Sequence, residues 1–97
     1  MRNLLAELQK WFLSNCDGDW EHGNGVRIET LDNPGWSIWI NLIDTKLDGK
    51  VFERLEKERS ESDWVVCWVE ERTFKSACGP ENLEEALQSF LDWSNSN

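Results

Sequence analysis

Apolar residues near the start of the chain recur every three or four positions, which is the spacing of an amphipathic helix. This stripe consists of Leu4, Leu5, Leu8, Trp11 and Phe12. We therefore predict a helix over about residues 3–14. The turn-forming residues at 15–19 are expected to end it.

A second helical stripe lies near the end of the chain. It consists of Leu83, Ala86, Leu87, Phe90 and Leu91. Asn82, with Glu85 three residues later, makes a start that resembles a capping box. The pattern predicts a final helix, and residues 94–97 are expected to form a frayed tail.

Between these stripes the pattern changes to the alternation and apolar runs of β-strands. Residues 26–30 alternate, and the Pro34-Gly35 pair that follows favours a turn. Residues 36–43 are apolar on both faces, as in a central strand whose second face is covered in part by a partner. Trp36 and Trp39 point to opposite faces of this strand.

Three further segments complete the predicted sheet. Residues 51–59 also fit a helix, but we interpret them as a strand because turn signals bound them. Residues 64–70 are the strongest strand, since they are β-branched and aromatic throughout. Residues 73–75 are expected to add a short edge strand before Gly79-Pro80 ends the sheet.

This order of elements predicts an α+β fold in a single domain spanning residues 1–97. A four- to five-stranded antiparallel meander sheet would be flanked by the N-terminal and C-terminal helices, both packed on one face. The opposite face would then remain available for another function.

The tryptophan content is unusual for a chain of this length. There are seven tryptophans and no tyrosine. Trp11, Trp93 and one of Trp64 and Trp68 have periodic apolar neighbours and are expected to be largely core. Trp20 lies in an acidic loop and has no periodic reason for burial.

The charge balance restricts the class of partner. Nineteen acidic and ten basic residues give a formal net charge of −9. This field opposes binding to nucleic acids and anionic membranes, and it attracts basic partners. No stretch approaches the roughly 20 apolar residues that span a bilayer, and the start of the chain lacks a secretory signal. We predict a cytoplasmic protein.

Candidate catalytic and metal-binding residues are few. Cys16, Cys67 and Cys78 are an odd number without paired spacing, which argues against a disulfide framework and a zinc site. Residues 17–22 combine three carboxylates with the only histidine, but they lack the spacing of a metal-binding loop. We predict no catalytic residue, no metal and no cofactor.

Four segments of the chain resemble the immunity protein 53 family of bacterial polymorphic toxin systems. They are SNCDGDWEH at 14–22, TLDNPGW at 30–36, ERSE followed by DW within 58–64, and GPENL at 79–83. Members of this family resemble cytoplasmic antidotes that protect a cell from its own or a sibling's toxin domain. The resemblance implies that the chain neutralises a cognate toxin by stoichiometric protein–protein binding, without catalysis.

We expect the toxin to bind at the end of the sheet that carries the 17–22 loop and the 32–36 turn. The candidate residues are four carboxylates, one histidine and three tryptophans: Asp17, Asp19, Glu21, Asp32, His22, Trp20, Trp36 and Trp39. The carboxylates would attract a basic toxin, and the tryptophans would anchor it. The alternative is that Trp36 and Trp39 are core and that the two loops lock each other in place.

Two other functions remain open. A small adaptor or homodimerising module would use exposed tryptophans for self-association, so the isolated chain is expected to be a monomer or a weak homodimer. A rhodanese-related sulfurtransferase or a hydrolase would depend on Cys16, Cys78 or His22. Acidic residues follow both cysteines, and this disfavours the anionic donor that sulfur transfer requires.

Overall fold

The computed structural model describes residues 1–96 and confirms the predicted α+β fold. Its helices are α1 (Leu4–Asn15), the short α2 (Trp20–Gly23) and α3 (Leu83–Asn95). Its strands are β1 (Val26–Leu31), β2 (Gly35–Asn41), β3 (Leu55–Glu58), β4 (Trp64–Glu70) and β5 (Thr73–Cys78). None of these helices is long and apolar enough to cross a membrane.

The two long helices begin differently. The side chain of Asn3 accepts a hydrogen bond from the backbone N–H of Ala6 and caps α1. Asn82 makes no such cap at α3, so the predicted capping box does not form. Its side-chain oxygen instead accepts the backbone N–H of Trp64, and its amide donates to Asp63. Asn82 thus ties the start of α3 to the sheet.

The end of α3 also differs from the prediction. Ser94 and Asn95, which were expected in a frayed tail, belong to the helix. The ammonium group of Lys50 donates to the backbone carbonyls of Trp93 and Ser96 at 2.8 and 2.7 Å. A cation at this position interacts favourably with the carbonyl end of a helix, where the Trp93 carbonyl also accepts the backbone N–H of Ser96. Asn97, the last residue of the predicted tail, lies outside the described range.

The strands form one antiparallel sheet in the order β1-β2-β5-β4-β3. This is not a simple meander, because β5 returns between β2 and β4. The prediction of a short edge strand at residues 73–75 is therefore wrong. Phe74, Ser76 and Cys78 are at most 2% exposed, so this six-residue strand is central.

The long connection between β2 and β3 crosses one end of the sheet on the side of the helices. Leu42 and Leu47 within it are buried. Phe52 packs edge-on against Phe74 and Trp93, with ring centroids 5.4 and 5.2 Å apart. Phe52 thus belongs to the packing on the helix side, and only Leu55–Glu58 of the predicted strand at 51–59 pairs with β4.

Both long helices pack on the same face of the sheet, as predicted. The core there combines Ile38, Ile40, Val65, Cys67, Phe74 and Cys78 from the strands with Leu8, Ala86, Leu87, Phe90 and Leu91 from the helices. Alternation along the strands sends the remaining side chains to the opposite face. We call it the open face, and it comprises Arg27, Glu29, Ser37, Trp39, Glu56, Glu58, Trp64, Val66, Trp68, Glu70, Lys75 and Ala77.

Candidate functional site

The indole N–H groups divide the seven tryptophans into two sets. Four donate within the chain: Trp20 to the carbonyl of Ile43, Trp36 to that of Pro80, Trp93 to that of Val51, and Trp68 to the carboxylate of Glu70. Trp11, Trp39 and Trp64 have no acceptor within residues 1–96. Trp11 packs edge-on against Trp20 and Phe90, which leaves Trp39 and Trp64 on the open face with unused donors. An aromatic ring with an available N–H is typical of protein interfaces.

The open face carries more aromatic surface than the sequence analysis assigned to it. Trp64 and Trp68 share the parity of Val66 and Glu70, whereas Val65 and Cys67 face the helices. The expectation that one of Trp64 and Trp68 is core is therefore wrong. Trp11 and Trp93 do pack against the core while remaining partly exposed.

A row of cations and tryptophans crosses the open face. The register places Arg27 opposite Trp39, Trp39 opposite Lys75, and Lys75 opposite Trp68. Arg54, one residue before the β3 ladder, completes the row beside Trp68. The Lys75 ammonium lies 4.6 Å from the centroid of the Trp39 ring, and the Arg54 guanidinium lies 5.5 Å from that of Trp68. Both distances suit a cation–π contact.

Each cation of this row is also paired with a glutamate. Lys75 is 3.1 Å from Glu70, Arg54 is 3.3 Å from Glu56, and Arg27 is 3.3 Å from Glu29. The Arg27 and Arg54 pairs are exposed, and exposed ion pairs contribute little to the free energy of folding. Lys75 is only 9% exposed, so its contacts with Glu70 and Trp39 hold a buried cation as well as ordering the aromatic ring.

The predicted site loop at residues 17–22 is a locally hydrogen-bonded structure. The Asp17 carboxylate accepts the backbone N–H groups of Trp20 and Asp19, both at 2.9 Å. The Glu21 carboxylate accepts those of Asp17 and Gly18 at 3.0 and 2.9 Å. These bonds favour the ionised forms. The backbone N–H of Trp20, then that of Asp19, lowers the pKa of Asp17, and backbone N–H groups, beginning with that of Glu21 itself, lower the pKa of Glu21.

The loop holds Trp20 in the interior. Trp20 is 7% exposed, and its ring lies 6.1 Å from that of Trp11 and 5.9 Å from that of Phe12, both on α1. The expectation that Trp20 lacks a reason for burial is wrong, because the contacts that bury it come from a different element. Its indole N–H donates to the carbonyl of Ile43 at 2.8 Å.

The two predicted loops lie at opposite ends of the sheet. Strand β1 leads from α2 at one end to the 32–34 turn at the other. Asp32 is exposed at that far end, and Trp36 packs against the core and donates its N–H to Pro80. The prediction of one continuous surface across both loops is therefore wrong, and so is the alternative that the loops lock each other.

Three of the predicted site residues do come together. Glu21, His22 and Trp39 line a shallow depression of about 460 Å³, and Arg27 lines it as well. Trp39 is 46% exposed there, on the opposite face from Trp36 as the sequence indicates. A neighbouring depression brings four predicted site residues together, since Asp17, Asp19, Trp20 and His22 all line it. Trp64 is a further candidate that the sequence could have identified, because it lies an even number of positions from Glu70 on one strand and therefore on the same, solvent-facing side.

The cysteines are poorly suited to nucleophilic chemistry. Burial raises the pKa of the Cys78 thiol to about 11, and it raises that of Cys67 as well. Desolvation, followed by the nearby Glu21 and Asp17 carboxylates, raises the pKa of Cys16. All three thiols are therefore protonated at neutral pH, whereas sulfur transfer requires a thiolate. Within residues 1–96, no three His, Cys, Asp or Glu side chains form a group that could hold a metal ion.

Comparison with known families gives one match. A sequence model of the family described as Immunity protein 53 matches residues 5–95, which is nearly the whole chain. Neither a curated protein nor a solved structure gives a significant match.

The buried position of Trp20 predicts a large effect on stability. Trp20→Ala should lower the free energy of unfolding by about 3–5 kcal/mol, because it leaves a cavity against α1 and frees the Ile43 carbonyl. Trp39→Ala, the matched control, should change it by less than about 1 kcal/mol. Urea denaturation measures both, and equal losses in the two variants would contradict the assignment.

The hydrogen bonds of Asp17 predict a pH-dependent contribution. Because its folded-state pKa is lowered, the stabilisation is fully present above the unfolded-state pKa and is lost as the pH falls through the folded-state value. Asp17→Asn should therefore be less stable than the wild type at pH 6, and the difference should shrink as the pH falls towards 3. Denaturation at several pH values tests this, and a constant difference would argue against it.

Proposed function

We propose that this chain, which belongs to the immunity protein 53 family, neutralises a cognate toxin domain by binding it in a stoichiometric complex without catalysis. Membership of this family supports the toxin-neutralising role. The observation that supports direct binding is the open face, where tryptophans with unused indole N–H groups lie on the side of the sheet that neither α1 nor α3 covers. Large aromatic side chains of this kind are the residues that most often dominate binding energy.

The charge of the chain supports a toxin with a basic contact surface. A net charge of −9 would attract such a surface and can raise the association rate by roughly 10- to 1,000-fold at low salt. Rapid association matters for an antidote, since it must capture the toxin before damage accumulates. In this proposal the protein acts in the bacterial cytoplasm, as a partner of a polymorphic toxin.

The proposed contact surface is the open face together with the exposed side of α2. Trp39 serves as the central anchor, and Asp19, Glu21 and His22 extend the surface at one end. Asp32 is a separate rim contact at the other end. Asp17 and Trp20 act indirectly, by holding α2 in place, and Trp36 supports the face from beneath.

Replacement of the anchor tests the proposed surface. Trp39→Ala should weaken binding to the cognate toxin domain at least about tenfold, as loss of an interface hot spot does. Leu13→Ala is the matched control, because Leu13 is 71% exposed on α1, away from the open face, and it should change the affinity less than about twofold. Titration calorimetry gives affinity and stoichiometry, and co-expression gives protection of the host.

Two results would count against this proposal. If the wild-type chain neither binds the cognate toxin domain nor protects the host against it, the proposed function is contradicted. Concentration-dependent dimerisation in sedimentation experiments that disappears with Trp39→Ala would favour a homodimerising module instead.

A further inference from the structure

The chain places a cation of its own over two of the three tryptophans on the open face. Lys75 lies opposite Trp39 on the neighbouring strand and packs on its ring. Arg54 does the same for Trp68. In both cases the cation is paired with a glutamate of the same face. The repeated unit is thus a tryptophan, a cross-strand cation and a carboxylate.

Trp64, the third tryptophan, has the carboxylate but not the cation. The residue opposite it in the ladder is Glu58. Glu58 and Glu61 form no ion pair within the described part of the chain, and the Trp64 indole N–H has no acceptor there. Because no buried side-chain N or O atom among these residues lacks a partner, this N–H reaches solvent. Trp64 therefore lies in an incomplete copy of a unit that the chain completes twice.

A groove of about 430 Å³ opens at this position. Its lining includes Trp64 and Val66 from β4 and Glu56, Glu58 and Glu61 from β3 and the following turn. We call it the Trp64 groove. It combines an apolar floor with carboxylates on one side, which suits a side chain that has both a flat apolar surface and a positive charge.

None of the cations that line or border the groove lies over the Trp64 ring within residues 1–96. Arg54, which lines one end, contacts Trp68 and Glu56. Lys57 also lines the groove, but it pairs with Val65, a residue of the helix-covered face, so its side chain leaves β3 on that side and not on the side of Trp64. Arg59 is held by Asp63 and Glu85. A cation for Trp64 must therefore come from another molecule.

We propose that the Trp64 groove receives an arginine side chain of the toxin domain. The planar guanidinium group stacks on an indole ring and forms forked hydrogen bonds to a carboxylate, and Glu58 is the nearest carboxylate across the ladder. Lysine would supply charge without this planar geometry. The inference rests on the proposed function, and it adds the position and the chemistry of one contact.

Glu58→Lys provides the most direct test, because it supplies the missing cation from the same cross-strand position that Lys75 occupies opposite Trp39. The filled groove should reject the toxin arginine and weaken binding roughly 10- to 100-fold. The fold should be unaffected, since Glu58 is exposed. Glu84→Lys is the matched control: it makes the same change of net charge at an exposed position on α3, and its effect should be confined to a small reduction in association rate.

Replacement of arginines on the toxin identifies the partner group. Each toxin arginine is replaced in combination with the wild-type chain and with Glu58→Gln. For one arginine, replacement should weaken binding to the wild-type chain but have little further effect on binding to Glu58→Gln, so that the two changes are not additive. No coupled arginine, or coupling to a lysine alone, would overturn the inference.

The outcomes separate the two proposals. If the wild type binds the toxin and Glu58→Lys binds as tightly as Glu84→Lys, the Trp64 groove is not the contact, while toxin binding stands. If the wild type fails to bind the toxin, the proposed function fails and the inference fails with it.

Discussion

The structure depends on one constraint: two helices of 12 and 13 residues can cover only one face of a five-stranded sheet. Both pack on the face that carries Ile38, Ile40 and Phe74, and burial of this apolar surface provides the main driving force for folding. The other face must remain stable in water without a second layer. Cations and carboxylates surround two of its tryptophans and order their rings, which leaves an aromatic surface available to a partner.

The sequence suggested that the acidic loop at 17–22 binds the partner, but in the structure the loop and the binding surface have different roles. Asp17 and Glu21 accept hydrogen bonds from backbone N–H groups and thereby hold α2 in place. Trp20 of α2 then packs against α1. The loop is therefore chiefly a local structural device. The surface suited to binding lies on the strands, where Trp39 and Trp64 retain unused hydrogen-bond donors. Sites on strands of a scaffold are held more precisely than sites on loops.

Local patterns predicted the elements well, because helical periodicity and strand alternation depend on neighbours in sequence. The remaining errors have a common cause, namely contacts between distant segments. Strand Trp64–Glu70 is apolar on both faces over most of its length, so alternation alone does not identify its core face. Only Glu70, at its end, marks the face that is exposed to solvent. Strand β5 is central and not the predicted edge strand, and Glu70 and Trp39, which lie far from Lys75 in sequence or on another strand, contact its charge at the centre of the sheet. Trp20 is buried by residues of α1.

We propose above all that the open face, extended by the exposed side of α2, contacts the toxin, whereas α1 and α3 do not. The most direct measurement is the NMR spectrum of the seven indole N–H groups in the free chain and in the toxin complex. We expect large chemical-shift changes for the indole N–H groups of Trp39 and Trp64. The changes should be small for Trp20, Trp36 and Trp93, whose N–H groups already donate to backbone carbonyls. Unchanged Trp39 and Trp64 signals in a saturated complex would contradict it.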